Sequence, residues 1–149
     1  MDQPGVQRQI AALASALTLP AGVTVPAWTE ADFPAVQRLS AAEGWTTPLD
    51  RPAAARQAWQ HSWPALVAVA DRAVIGFLRG LSDGGVTVYV AEVLVAPAWR
   101  GRGLGAALLE LAQRLNPGAR LDLLATAASR SFYGYRLSWA EREAGGDLA

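Results

Sequence analysis

Three glycines and two arginines crowd into seven residues, Arg100-Gly101-Arg102-Gly103-Leu104-Gly105-Ala106. Before them runs an apolar stretch, Val86 to Val95; after them Leu104, Leu108, Leu111 and Leu115 recur at helical spacing. A strand that ends, a glycine-rich connection and a helix that opens together make an anion site. The first amides of a helix lack intrahelical partners, and the macrodipole adds partial positive charge there. Without β-carbons at Gly101, Gly103 and Gly105 the backbone can approach a pyrophosphate closely. Arg100 and Arg102 can add charge-assisted hydrogen bonds. The plain alternative is a glycine-rich connection that holds nothing. A second chemical group stands just upstream: Glu92 interrupts the apolar strand. In simple alternation it shares a face with Val88, Val90 and Leu94. Burial of a carboxylate favours its neutral form, which suits a general base. The competing reading is an exposed or paired glutamate on the sheet.

Other phosphate motifs fit less well. A P-loop requires Gly-Lys-Ser/Thr, and none follows. Gly101, Gly103 and Ala106 do satisfy G-x-G-x-x-G/A, with Asp122 downstream. The context is wrong for a dinucleotide, however. Pro97 to Arg100 intervene between strand and glycines, the strand closes a meander, and Asp122 lies inside the next strand between Leu121 and Leu123.

The elements that must position these groups follow from periodicity and punctuation. Val6, Ile10, Leu13 and Leu17 form a helical stripe that Pro20 ends. Val23 to Trp28 reads as a short strand. Thr29 and Asp32 suggest the N-terminus of a helix running to about Glu43, with Phe33, Val36 and Leu39 inward and Gly44 as its stop. Trp45 to Leu49 reads as a loop. Asp50 can cap a second helix, with Pro52 in its first turn and Pro64 beyond its end near Trp63. The texture then becomes β-rich: Leu66 to Ala70, a tight Asp71-Arg72-Ala73 connection, Val74 to Leu81, a hairpin turn at Ser82 to Gly85, and Val86 to Val95. After the leucine helix, Asn116-Pro117-Gly118 stops it. Leu121 to Ala125 is a strand, Ser129 to about Leu137 a short helix and Trp139 to Glu143 a last strand. This order predicts one mixed α/β domain over residues 1–149, with residues 1–20 as a helical extension.

Composition narrows the function. The chain has 149 residues, 52% of them hydrophobic, and a formal net charge of zero. A neutral chain argues against nucleic acid or an anionic membrane as partner. There is no cysteine and one histidine, His61, so a thiolate nucleophile and a multi-histidine metal site are both excluded. No metal is expected. Ile10 to Leu19 has a poor basic flank for a signal peptide, so a cytoplasmic protein is expected.

The segment Arg100-x-x-Gly103-x-Gly105, preceded by Val95-Ala96-Pro97, resembles the R/Q-x-x-G-x-G/A motif of the GNAT acetyltransferase superfamily. The resemblance extends over roughly Val23 to Trp139. It implies a central mixed sheet flanked by helices, with acetyl-coenzyme A as co-substrate. It further implies that backbone groups of Leu94 and Val95 pair with the pantetheine arm. Amides from Arg100 through Gly101, Arg102, Gly103, Leu104 and Gly105 to Ala106 would then hold the pyrophosphate. A glutamate base on the strand of Glu92 is common in the family. Tyr133 matches a tyrosine that protonates the departing thiolate, though it reads equally as a core aromatic beside Phe132; Ser129 is a fallback donor. Thr126 stands at the approximate place of a family Asn, and Ser138-Trp139 replaces Gly-Phe.

Glu43 to Trp63 occupies the stretch that forms the acceptor wall in the family. There Glu43 and Trp45, with Asp50, Trp59 and Trp63, can meet a cationic amine, or can be core tryptophans and helix caps. His61 reads as a surface or packing residue. The reading is acetyl transfer to a primary amine of a small molecule or peptide. Its alternative is a non-catalytic acyl-coenzyme A-binding domain. The short tail after Trp139 leaves a sheet edge to be completed, which suggests a homodimer.

Overall fold

A computed structural model of the chain describes residues 3–123. The helix and strand expected after Ser129, and with them Tyr133 and the edge argument for a dimer, lie outside the described residues.

The chain opens with α1 (Gln3–Ala14), which buries Ile10 completely and ends well before Pro20. β1 is only Val23–Thr24, extended by an isolated bridge from Ala27 to Leu66. A single turn at Glu30–Asp32 leads into α2 (Phe33–Ala42), and the Asp32 carboxylate accepts the Thr29 amide at 2.8 Å. Phe33, Val36 and Leu39 are buried as their spacing requires. The expected loop contains a short helix, α3 (Thr47–Asp50), and Asp50 closes it rather than capping the next one. The next helix, α4 (Pro52–Gln60), begins on Pro52, whose fixed φ suits a first turn, and ends before Trp63.

The meander is β2 (Ala65–Ala70), β3 (Ala73–Ser82) and β4 (Thr87–Val95). Asp71 and Arg72 both take positive φ, 49° and 65°, the twist a two-residue hairpin demands. α5 (Leu104–Leu115) then carries the chain over to β5 (Arg120–Leu123). The sheet order is β1-β2-β3-β4-β5, antiparallel except for the last pair, which is parallel and so needs the helical crossover. Among the described residues no helix is long and apolar enough to cross a membrane.

Each face of the sheet has its own core. α1 and α5 cover one face, where Leu66, Ala68, Leu78, Val88, Val90 and Leu121 meet Ile10, Leu104, Leu108 and Leu111. Burying each of those leucines contributes about 2 kcal/mol. α2 and α4 cover the other, where Val67, Phe77 and Leu94 meet Phe33, Val36 and Trp59.

One irregularity decides where the site residues point. β3 and β4 pair Gly80 with Val90 and Arg79 with Glu92, so Ala91 is an extra residue, a β-bulge. The extra residue reverses the alternation. Val88 and Val90 face α5; Glu92 and Leu94 face α2 and α4. The expected sharing of a face by Glu92 with Val88 and Val90 is therefore corrected: of the three expected neighbours it shares a face only with Leu94.

Candidate active site

The loop between β4 and α5 is built by short local bonds. Pro97–Trp99 forms a single turn, closed by Trp99 N–H donating to Ala96 O at 2.9 Å. Gly101 and Gly103 take φ of 77° and 83°, and a β-carbon at either would meet nothing within 4 Å. Left-handed backbone, not crowding, is what demands glycine there. Gly103 is the N-cap of α5, and its carbonyl accepts the Ala107 amide at 3.0 Å. Among the described residues, no amide from Gly101 to Ala106 donates to a protein acceptor. Six consecutive N–H groups at the positive end of a twelve-residue helix, with no acidic side chain in its first turn, form a cradle for an anion.

The two arginines frame this cradle. Arg100 Nε donates to the Val95 carbonyl at 3.0 Å, and its terminal nitrogen forms an ion pair with Glu43. The Arg102 guanidinium lies over the Trp99 ring, 4.7 Å from its centroid. What this loop can offer an anion is thus chiefly backbone N–H, while Arg100 ties the loop to the end of β4 and to the C-terminus of α2. Leu94 buries its side chain in the α2–α4 core, leaving backbone to line the strand edge. β4 pairs with β5 at Thr87 to Val90; from Ala91 to Val95 it has a strand partner only in β3 among the described residues.

Glu92 stands at this divide, its side chain 26% exposed. Its Oε2 accepts from Arg79 Nε at 2.8 Å, and Arg79 also reaches the Ser62 hydroxyl at 3.2 Å. Tyr89 follows on the same face of β4, opposite Leu81 and beside Asp122, whose carboxylate pairs with Arg120.

The acceptor-wall candidates separate. Glu43 lies at the end of α2 against Arg100, and Trp45 is 40% exposed just beyond it, with its amide held by Ser40 O. Trp59 instead is 2% exposed and stacks on Trp28, so it is a core residue. Trp63 packs against the α1–α5 core. His61 is exposed, its ring nitrogen 2.8 Å from Gln57 O. Sequence reasoning missed Arg79, whose signal was one cation in an apolar strand adjacent to the strand that carries Glu92.

Residues 61–135 match the family model of the acetyltransferase (GNAT) domain. Several solved structures share the fold. A GNAT-family acetyltransferase from Streptococcus pneumoniae is 24% identical, with a TM-score of 0.65 over 85% of this chain and 88% of that one. An aminoglycoside N-acetyltransferase in complex with coenzyme A is 19% identical, with a TM-score of 0.63 over 89% and 93%. An N-acetyltransferase from Thermoplasma acidophilum, also in complex with coenzyme A, is 15% identical, with a TM-score of 0.59 over 76% and 87%. No curated protein matches the chain in sequence.

Proposed function

This chain belongs to the acetyltransferase (GNAT) domain family, and from that premise we propose that it transfers an acetyl group from acetyl-coenzyme A to a primary amine of a small molecule or peptide. The observation that carries the reading is the row of amides from Gly101 to Ala106 at the start of α5, which have no protein acceptor among the described residues. Fold neighbours crystallised with coenzyme A support the choice of anion. The amides, with Arg102 beside them, hold the pyrophosphate. Backbone of Leu94 and Val95 receives the pantetheine arm, and the bound thioester supplies the acyl group. Glu92, on the opposite face from α5, takes the proton from the acceptor nitrogen. Tyr133, outside the described residues, is the proposed donor to the leaving thiolate. Glu43 and Trp45 border the acceptor.

The test is calorimetry of acetyl-coenzyme A against the wild type and Gly103→Asp. A carboxylate at the cradle should weaken binding at least about tenfold, about 1.4 kcal/mol. Equal affinity in a folded variant overturns the assignment.

The pairing of Glu92 with Arg79 favours a second reading, a domain that binds acyl-coenzyme A without catalysis. Thiol release measured over a panel of amines separates the two: turnover on any of them removes the binding-only reading.

A further inference from the structure

We propose that Arg79 is a positioning residue for acetyl transfer: it holds Glu92 by Oε2 and so presents Oε1 as the proton-accepting atom. This rests on Glu92 being the base.

The bulge at Ala91 sets the geometry. A regular ladder from the hairpin turn would set Ala91 opposite Arg79 and Glu92 opposite Leu78, on the α5 face. The extra residue instead brings Glu92 directly across from Arg79. The bulge re-aims the Glu92 side chain to the α2–α4 face, and there its carboxylate meets one side-chain contact among the described residues. Arg79 makes it, Nε to Oε2 at 2.8 Å.

Arg79 is itself held from behind. Its second nitrogen donates to Ser62 Oγ at 3.2 Å, and Ser62 Oγ donates to Ala58 O at 2.6 Å in the last turn of α4. The backbone beside it is clamped as well: Trp63 N–H donates to Gly80 O at 3.0 Å and Gly80 N–H to Pro64 O at 2.7 Å. A chain of contacts thus runs from α4 through Ser62 and Arg79 to one carboxylate oxygen. Among the described residues Oε2 is the only oxygen of Glu92 that accepts a hydrogen bond. The pair is largely buried, its side chains 19% and 26% exposed, so removing one partner also costs stability by leaving the other charge without a counterion, and the role in turnover has to be read apart from that cost. The proton moves from the acceptor nitrogen to Oε1, and the guanidinium stays protonated throughout.

The experiment measures thiol release from acetyl-coenzyme A with n-butylamine, putrescine, phenethylamine and an unblocked tripeptide, using wild type, Arg79→Met, Arg79→Lys, Ser62→Ala and Glu92→Gln. Arg79→Met should lower kcat about tenfold or more, with acceptor KM and calorimetric affinity for acetyl-coenzyme A near wild type and the variant still folded by its urea transition. Arg79→Lys should recover most of the loss, and Ser62→Ala should lose less than Arg79→Met. Wild-type kcat in Arg79→Met, while Glu92→Gln is impaired, overturns the positioning role and leaves the base in place. A loss in Arg79→Met that tracks a fall in cofactor affinity or the loss of the urea transition, and that lysine does not restore, overturns it too. Full turnover in Glu92→Gln overturns the base, and no turnover by wild type on any amine overturns the transferase reading; either removes this inference with it.

Discussion

From Thr87 to Val90, β4 is hydrogen-bonded on both edges, to β3 and to β5. From Glu92 to Val95 it is paired with β3 alone among the described residues. The first half points Val88 and Val90, 1% and 3% exposed, into the α5 core. The second half points Glu92, bound to Arg79 of β3, and then Leu94 at the other face. One inserted residue, Ala91, separates a segment selected for packing from a segment available for chemistry. The strand therefore needs no break and no loop to change its purpose. Its rigidity is inherited by the site, because both halves remain bonded to β3.

Substitutions on either side of Ala91 should have opposite signatures, and the largest effect belongs to the packed half. Val90→Asp buries a carboxylate with no partner and should cost about 4 kcal/mol of stability, read as a lower urea midpoint. A midpoint equal to wild type would mean that Val90 does not face the core. In the other half, Glu92→Gln keeps the shape of the side chain and should act on turnover far more than on the urea midpoint. It should lower kcat about a hundredfold, equivalent to about 2.7 kcal/mol. A kcat equal to wild type would break the proposed division of the strand.

Gly76→Ala probes the seam between the halves and the neighbouring strand. A β-carbon there would stand 2.8 Å from Leu94 O and 3.8 Å from a Leu104 methyl. Backbone cannot give way as a side chain can, so a loss of about 1–2 kcal/mol is expected, together with weaker binding of acetyl-coenzyme A. Retained affinity in a destabilised variant would show that the spacing of β3 and β4 serves the fold alone.

The smallest effect lies at the hairpin end. The Asp83 carboxylate accepts from the Thr87, Gly85 and Val86 amides at 3.0, 2.9 and 2.8 Å. Those backbone bonds, that from Thr87 first, hold its pKa below the ordinary 3.8. A carboxyl whose folded pKa is depressed stabilises the protein above its unfolded pKa, and the contribution is lost as pH falls through the folded value. Asp83→Ala should therefore lower Tm slightly at pH 7, and the gap to wild type should close as pH falls below about 4. A gap that does not change with pH would mean that the charge contributes nothing.

Much of this arrangement was legible in the sequence, and the rest was hidden for identifiable reasons. α5 could be read because Leu104, Leu108, Leu111 and Leu115 keep one helical face between a glycine start and an Asn-Pro-Gly stop; its observed bounds are Leu104–Leu115. The meander could be read from its turns. α3 was missed because four residues carry too little periodicity. The face of Glu92 was misread because alternation assumes one residue per rung, and a bulge at an ordinary alanine leaves no mark in composition. The cradle was visible as glycines, but the reason for Gly101 and Gly103 is positive φ. Arg100 was expected at the phosphates. Its attachment to Glu43 joins residues 57 positions apart, a separation that no local pattern reports.

That attachment bears on engineering. Glu43 sits on the segment proposed to border the acceptor, and Arg100 sits on the loop proposed to hold the cofactor. The two segments are not modular. A graft replacing the end of α2 and the turn after it would release the Arg100 side chain from Glu43 and leave it, among the described residues, bonded only to Val95 O. Chimaeras of this scaffold need a carboxylate at position 43, or a matched change at position 100, before differences in acceptor preference can be credited to the transplanted wall.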